Sequence, residues 1–194
     1  MELILILGPM KSGKSFELIS YFMPLQYADI PFKVFQSAKN VRDQSVWSRN
    51  GVFLQAEKAT DLREALEGNL KVVGIDEVHM FAESDADILE KLLKKGVKVV
   101  ASGLDTDYKG EMFPIIKRLL SMGPKEVEYK RAVCEACKTP DAVYTQVYKN
   151  GEPVLEGLPS VIPEDGTYIY KPLCRRCFLK SLGYRSNRLS TETI

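Results

Sequence analysis

The strongest constraint on this chain lies at its start, where an apolar run leads directly into a glycine-rich loop and then into a helical pattern. The run Leu3–Leu7 is made of leucine and isoleucine and ends abruptly at Gly8. Residues 8–15, GPMKSGKS, match the pattern G-x-x-x-x-G-K-[ST] in full. Helically spaced apolar residues follow at Phe16, Leu18, Ile19 and Phe22. We therefore predict a strand, a phosphate-binding loop and a helix in that order, the context that this motif requires.

The chemistry of such a loop predicts a bound nucleoside triphosphate, with ATP and Mg²⁺ as cofactors. Its glycines let backbone N–H groups converge on an anion at a helix N-terminus. Lys14 would contact the β- and γ-phosphates, and the Ser15 hydroxyl would bind Mg²⁺. A chance glycine turn before a helix is the alternative, which the strand–loop–helix context disfavours. The predicted nucleotide-binding residues are Gly8, Pro9, Met10, Lys11, Ser12, Gly13, Lys14 and Ser15.

Composition and charge exclude several other classes of protein. The 194 residues are 45% hydrophobic and carry a net charge of +1, which lacks the basic excess of a general nucleic-acid binder. The N-terminal apolar run is too short for a membrane span and leads straight into the loop, so we expect neither a signal peptide nor an anchor. We predict a cytoplasmic protein with no nucleic-acid or membrane partner.

Strand and helix patterns alternate through the first part of the chain. Residues 32–35, 71–75 and 97–101 are predicted strands, and residues 84–95 have the apolar spacing of an amphipathic helix. A shorter helix is predicted at residues 60–66, with Thr60 as its N-cap. The alternation predicts an α/β fold like that of P-loop NTPases, with a mainly parallel sheet flanked by helices. Ligands of such sheets bind at the carboxyl ends of the strands.

Two acids follow the predicted strand at residues 71–75. Asp76 is predicted to hold Mg²⁺ through the hydration shell of the ion. Glu77 points in another direction and is free to act as a general base. The alternative is that the pair only marks a helix start. His79, the only histidine, is interpreted as a structural or pocket residue. After the next strand, Leu104, Tyr108 and Phe113 could wall a base-sized pocket, although core packing explains each of them equally well.

Cysteines mark a change of character after residue 130. They form two C-x-x-C pairs, which favour a structural zinc site over a thioredoxin-like redox pair. A strand at 144–148, a hairpin turn at 149–152, a loop at 158–166 and a return strand at 167–170 are predicted between the pairs. The predicted division is a nucleotide-binding domain at 1–130, a zinc-binding domain at 131–182 and a flexible tail at 183–194. The predicted zinc ligands are Cys134, Cys137, Cys174 and Cys177.

The order and spacing of these motifs resemble the zinc-containing, type II thymidine kinases over residues 3–180. The matching stretches are GPM-x-SGKS-x-EL at residues 8–18, IDE at 75–77 with Phe81, GLDTDY at 103–108, and the cysteine pairs. The resemblance implies a P-loop α/β domain and a zinc-anchored lasso domain. It also implies transfer of the γ-phosphoryl group of ATP to the 5′-hydroxyl of thymidine, and a homotetramer.

The same resemblance implies roles for individual residues. Glu77 would be the base for the 5′-hydroxyl, and Arg42 would lie near the phosphates. The lasso would close over the base, which main-chain groups of its loop would hold. The implied nucleoside-binding residues are Met80, Leu104, Tyr108, Phe113, Val161, Ile162 and Tyr170.

Several positions depart from the family pattern. Lys11 stands where a phenylalanine-like residue is usual, and His79 and Met80 replace glutamine and phenylalanine. Asn40 replaces an aspartate, and residues 161–166, VIPEDG, replace the usual Ile-Gly-Gly of the lasso. Alternative functions are therefore a kinase of another pyrimidine deoxynucleoside, a nucleotide-binding regulator without kinase activity, or a zinc-ribbon nucleic-acid ATPase, which would need a basic face.

Overall fold

A computed structural model of the chain describes residues 2–40, 46–47, 51, 53–162 and 166–184. The strands in these residues are β1 Leu3–Leu7, β2 Phe32–Ser37, β3 Val46–Trp47, β4 Phe53–Leu54, β5 Glu57–Ala59, β6 Val72–Asp76, β7 Lys98–Gly103, β8 Glu126–Tyr129, β9 Ala142–Lys149, β10 Glu152–Pro153 and β11 Ile169–Cys174. The α-helices are α1 Lys14–Phe22, α2 Asp85–Lys94, α3 Pro114–Ser121 and α4 Arg175–Ser181. Short 3₁₀ helices span Met23–Gln26, Arg63–Leu66 and Val78–Met80.

Six of the described strands form a parallel sheet with the order β5-β2-β6-β7-β1-β8. Every pairing within it is parallel, and Leu5 of β1 lies opposite Ala101 of β7. The predicted α/β fold is confirmed. Because the strands run in one direction, β1, β6 and β7 all end at the same edge, where the glycine-rich loop and Asp76 are found.

Side chains from both faces of this sheet are buried, as a parallel sheet requires. Leu5 and Leu7 point to the face that α2 and α3 cover, whereas Ile6 points to the face that α1 covers. All three side chains are almost fully buried. The unbroken apolar run at the start of the sequence is therefore explained by a strand at the centre of a two-sided core.

A smaller antiparallel sheet, with the order β10-β9-β11, follows the parallel one. The predicted hairpin is present: Asn150 and Gly151 have φ angles of 52° and 87°, which suit the tight turn between β9 and β10. Helix α4 packs on this sheet, with the Phe178 ring stacked on Tyr144 at a centroid distance of 4.3 Å. The proposed domain boundary near residue 130 stays a prediction.

The short helix predicted at residues 60–66 is present as a single 3₁₀ turn, but the predicted Thr60 cap is wrong. The segment contains the 3₁₀ helix Arg63–Leu66, which Leu62 precedes. The Asp61 carboxylate, instead of Thr60, accepts a hydrogen bond from the Arg63 N–H at 3.0 Å, and it also binds the Arg63 guanidinium. This local side-chain bond supports a tight turn in place of a longer α-helix.

Some predictions concern residues outside the described ranges. They are the role of Arg42, the part of the lasso at 163–165 and the tail from residue 185 onward. No helix in the described part of the chain has the length and apolarity needed to cross a bilayer.

Gly8 joins the parallel sheet to the glycine-rich loop at a position with no room for a side chain. Its φ is 142°, and an added Cβ would lie 2.4 Å from the carbonyl oxygen of Lys130. That backbone is fixed because the Lys130 N–H donates to the Leu7 carbonyl at 2.7 Å. A side chain at residue 8 would therefore force two adjacent strand ends apart.

We expect Gly8→Ala to lower the free energy of unfolding by more than about 2 kcal/mol, measured by urea denaturation. The matched control is Gly68→Ala, where φ is 78° but nothing lies within 4 Å of an added Cβ. This control carries the strain of a positive φ without the clash, so it should cost only about 1 kcal/mol. Equal losses in the two variants would contradict the clash.

Candidate active site

The glycine-rich loop at residues 8–15 connects β1 to α1 at the carboxyl edge of the parallel sheet. Lys11 and Gly13 have positive φ angles of 65° and 85°, which turn successive N–H groups toward one side of the loop. Lys14 is buried, and its ammonium donates to the Pro9 carbonyl at 2.8 Å across the loop. The Ser12 hydroxyl oxygen is buried without a hydrogen-bond partner among the described residues. The loop therefore presents donors and a cation to an anionic ligand.

Asp76, at the end of β6, lies against this loop. Its carboxylate accepts hydrogen bonds from the hydroxyls of Ser15 at 3.3 Å and Ser102 at 2.5 Å, and from the Gln36 amide at 3.4 Å. Burial, together with the negative charge of Glu77, raises the pKa of Asp76 to about 6, and the Ser102 hydrogen bond partly opposes this. Hydroxyl and carboxylate oxygens side by side suit Mg²⁺, so Ser15 and Asp76 fit the predicted metal.

Glu77 follows Asp76 in a left-handed backbone conformation, with φ 53°, which separates the directions of the two side chains. The residue is only 8% exposed, and its Oε2 atom has no hydrogen-bond partner among the residues that the structure describes. A buried carboxylate oxygen without a donor is costly, so a ligand hydroxyl is a fitting partner for it. The geometry thus leaves Glu77 able to accept a proton.

His79 lies beside Glu77, with 3.4 Å between Nδ1 and Oε2. This contact is not an ion pair, because burial and then the charge of Lys14 lower the pKa of His79 to about 3. Nδ1 also accepts a hydrogen bond from the Leu104 N–H at 3.2 Å, which assigns the ring proton to Nε2. The neutral ring packs 4.8 Å from the ring of Phe113. His79 is therefore a buried structural residue beside Glu77.

All the residues proposed to bind a nucleoside except Met80 lie in, or pack against, two adjoining apolar clusters. Leu104 and Phe113 are buried in the main core, and Val161 and Tyr170 pack against it. Tyr108 and Ile162 are buried together, and Tyr170 also packs against them. Met80 is buried, and its carbonyl accepts a hydrogen bond from Lys39 at 3.0 Å. With the exception of Met80, these side chains are brought together, whereas their contact with a substrate stays a prediction.

The loop predicted at residues 158–166 belongs to the lasso, and its described residues 158–162 are hydrogen-bonded to the loop after β7. The Tyr108 hydroxyl donates to the Leu158 carbonyl at 2.9 Å and accepts from the Leu158 N–H at 3.2 Å. The Ser160 hydroxyl donates to the Asp107 carboxylate at 3.1 Å. The Tyr170 hydroxyl donates to the carbonyl of Ile162 at 3.3 Å. These bonds hold residues 158–162 over the apolar clusters.

Sequence reasoning missed three polar residues of this region. Ser102 and Gln36 bind Asp76, and Asp107 organises the loop by accepting the N–H groups of Lys109 and Glu111. A usable signal was present, because Ser102 and Gln36 lie near the carboxyl ends of strands that flank β6. Polar side chains at such ends face the ligand edge of a parallel sheet.

The cysteine sulfurs form a compact group, all within 4.8 Å of one another. Sγ of Cys137 lies 3.7 Å from Sγ of Cys174, and zinc–sulfur bonds of about 2.3 Å in a tetrahedron require nearly this separation. Cys134 and Cys174 are buried, which shields part of the site from water. The four sulfurs therefore fit one zinc ion. Their arrangement supports a structural zinc site over a thioredoxin-like redox pair.

The raised pKa of Asp76 predicts an effect on stability. Since its folded pKa of about 6 exceeds the usual 3.8, the buried charge destabilises the fold fully above pH 6, and this cost disappears below pH 3.8. We expect Asp76→Asn, without nucleotide or Mg²⁺, to raise the free energy of unfolding near neutral pH by about 1–3 kcal/mol. The gain should shrink as the pH falls toward 4.

Urea denaturation at several pH values measures this difference. Asp87→Asn, which removes an exposed carboxylate from α2, serves as the control and should show no such pH-dependent gain. A lower stability of Asp76→Asn at neutral pH would mean that the hydrogen bonds to Asp76 outweigh its desolvation.

Comparisons with known proteins agree with this geometry. The thymidine kinase family profile matches residues 1–178. A thymidine kinase of Mycoplasma mobile is 31% identical to the chain over 180 residues, which cover 90% of this chain and 86% of the relative. The profile match extends from the glycine-rich loop through both cysteine pairs, so it includes the nucleotide edge and the metal group alike. The chain belongs to the thymidine kinase family.

Proposed function

We propose that this kinase transfers the γ-phosphoryl group of ATP to the 5′-hydroxyl of thymidine. The observation that carries the proposal is the convergence of three elements at one sheet edge. These are the phosphate loop, the Ser15–Asp76 pair and the carboxylate oxygen of Glu77 that has no hydrogen-bond partner in the described part of the chain. Beside them lies an apolar region that the lasso covers, and membership of the thymidine kinase family supports thymidine as its occupant.

Phosphoryl transfer depends mainly on positioning and on neutralisation of charge. Main-chain N–H groups of residues 8–15 would hold the triphosphate, and Lys14 would turn from the Pro9 carbonyl toward its β- and γ-oxygens. Ser15 and Asp76 would hold Mg²⁺, which supplies positive charge to the transferring group when bound. Asp76 is suited to this role because a cation relieves the burial of its negative charge.

Glu77 would accept the proton of the attacking 5′-hydroxyl. Its buried, unpartnered oxygen is poised for a hydroxyl, and the neutral His79 beside it does not neutralise its charge. Arg42 would stabilise charge on the transferring phosphoryl group, a role that rests on the family resemblance.

The base would lie among Leu104, Tyr108 and Phe113, with Ile162 and Tyr170 at the lasso side. Val161 and Met80 complete the proposed set. Because side chains of this kind recognise shape more than polarity, main-chain groups of the lasso would supply the hydrogen bonds to the base. The cysteine group would hold a structural zinc ion at the foot of the lasso. A homotetramer and a cytoplasmic location are proposed on the resemblance alone.

Incubation of the purified protein with ATP, Mg²⁺ and a panel of nucleosides tests the function. We expect phosphorylated thymidine as the main product, and deoxyuridine or modified pyrimidines as poorer acceptors. A preference for one of these over thymidine would favour the alternative substrate. That alternative is suggested by His79 and Met80, which depart from the family pattern in the pocket segment. ATP binding without any phosphorylated nucleoside would favour the regulatory alternative.

The proposed base is tested by Glu77→Gln, which keeps the shape of the side chain but cannot accept the proton. We expect kcat to fall by roughly 10²–10⁴-fold, with ATP affinity retained. Glu83→Gln, at an exposed position six residues further along the chain, is the matched control and should keep the wild-type rate. A near-normal kcat for Glu77→Gln would remove Glu77 from this role.

A further inference from the structure

Two adjacent residues of the phosphate loop contact the cysteine-rich subdomain, which we define as residues 131–184. The Met10 N–H donates to the Thr145 hydroxyl of β9 at 2.9 Å, in a buried position. The Lys11 ammonium forms an ion pair with the carboxylate of Glu135. Glu135 lies between the zinc-ligand candidates Cys134 and Cys137. The apex of the loop therefore rests on the turn that carries half of the metal ligands.

The position of Glu135 depends on the fold of that turn. Its N–H donates to the Pro172 carbonyl of β11 at 2.9 Å. Within the turn, the Cys134 N–H donates to the Thr139 carbonyl and the Lys138 N–H to the Cys134 carbonyl, both at 2.8 Å. A metal ion shared by the cysteines would fix the turn against β11 and α4, because ligands from both chain segments meet there.

Lys11 has an unusual backbone conformation, so its ion pair with Glu135 bears on the shape of the phosphate loop. Its φ of 65° is disfavoured for a residue with a Cβ, so the conformation must be held by its surroundings. In a phosphate-binding loop, such a left-handed residue sets the direction of the neighbouring N–H groups. The Glu135 carboxylate fastens the side chain of this residue, and the bond from Met10 to Thr145 fastens the residue before it.

We propose that Glu135 is a positioning residue that orients the phosphate loop through Lys11, so that metal binding at the cysteines and ATP binding at the loop strengthen each other. The inference rests on the proposed function, since it takes ATP as the ligand of the loop. The coupling is reciprocal by thermodynamic necessity: a metal that tightens ATP binding is itself held more tightly by the ATP-bound protein. The family resemblance does not supply this pair, because the family usually has a phenylalanine-like residue at position 11.

The first test uses Glu135→Gln in protein loaded with zinc, so that no metal has to be removed. Both side chains of the pair are about one-third exposed, with 33% for Lys11 and 31% for Glu135, so the effect is modest. We expect the ATP dissociation constant to rise about two- to five-fold, the range of a partly exposed ion pair. Zinc content and the KM for thymidine should match those of the control Glu152→Gln, an exposed glutamate in β10 of the same subdomain.

Adding Lys11→Gln to Glu135→Gln separates positioning from a general effect of charge. If the ion pair is the connection, the double variant binds ATP no more weakly than Lys11→Gln alone. The reversed pair, Lys11→Glu with Glu135→Lys, should recover part of the affinity that either reversal alone loses. Fully additive losses would contradict the proposal.

The reciprocal test measures the zinc dissociation constant by equilibrium competition with a coloured chelator, with and without ATP. In the wild-type protein ATP should lower this constant about two- to five-fold, whereas in Glu135→Gln ATP should leave it unchanged. An equal response to ATP in both proteins, or no response in the wild type, would overturn the coupling. If the wild-type protein bound no ATP, the proposed function would fail as well; ATP binding unaffected by Glu135→Gln would defeat only the coupling.

Discussion

The parallel alignment of β1, β6 and β7 is the constraint on which the rest of the molecule depends. Because these strands run together, the loop after Leu7, the carboxylate of Asp76 and the hydroxyl of Ser102 emerge at one edge. Distances of a few ångströms then join residues that lie far apart in the chain. Ser15 and Asp76, for example, are separated by 61 positions yet lie within hydrogen-bond distance. The apolar cores on both faces hold this alignment.

That edge concentrates polar groups that the fold alone does not favour. The pKa of Asp76 is raised by burial, and the Lys14 ammonium donates to a carbonyl of its own loop. Glu77 has a left-handed backbone and a carboxylate oxygen that no described residue hydrogen-bonds. The buried charge of Asp76 and the backbone and carboxylate of Glu77 cost stability in the isolated protein. A ligand that brings a cation and a hydroxyl would relieve these costs, and phosphates would take the place of the carbonyl beside Lys14. The pattern supports the proposed active site, whose stability its substrates would complete.

The cysteine-rich subdomain contacts two loops of the proposed active site in addition to carrying the candidate metal ligands. Its lasso is bonded through Leu158 and Ser160 to the loop after β7, which contains Tyr108 and Asp107. Its β9 strand and its first C-x-x-C turn contact the phosphate loop on the other side of the site. A zinc ion bound by the cysteine group would hold the first C-x-x-C turn against the end of β11 and so stabilise these positions.

Short-range patterns in the sequence were sufficient for the overall fold and for the identity of the main groups. The apolar run at Leu3–Leu7, the motif at residues 8–15, the acids after β6 and the two cysteine pairs are all local signals with one dominant physical reading. The Thr60 cap is wrong because the neighbouring Asp61 carboxylate forms the bond to the Arg63 N–H.

What only the tertiary structure decided are the contacts between distant segments. The bonds of Ser102 and Gln36 to Asp76 depend on which strands are neighbours in the sheet, and sequence spacing does not encode strand order. The neutral state of His79 depends on its burial beside Lys14 and on the Leu104 N–H. The pairing of Lys11 with Glu135 depends on how the phosphate loop packs against the cysteine turn. Local chemistry thus determined which groups are present, whereas packing decided which of them meet and in what state of charge.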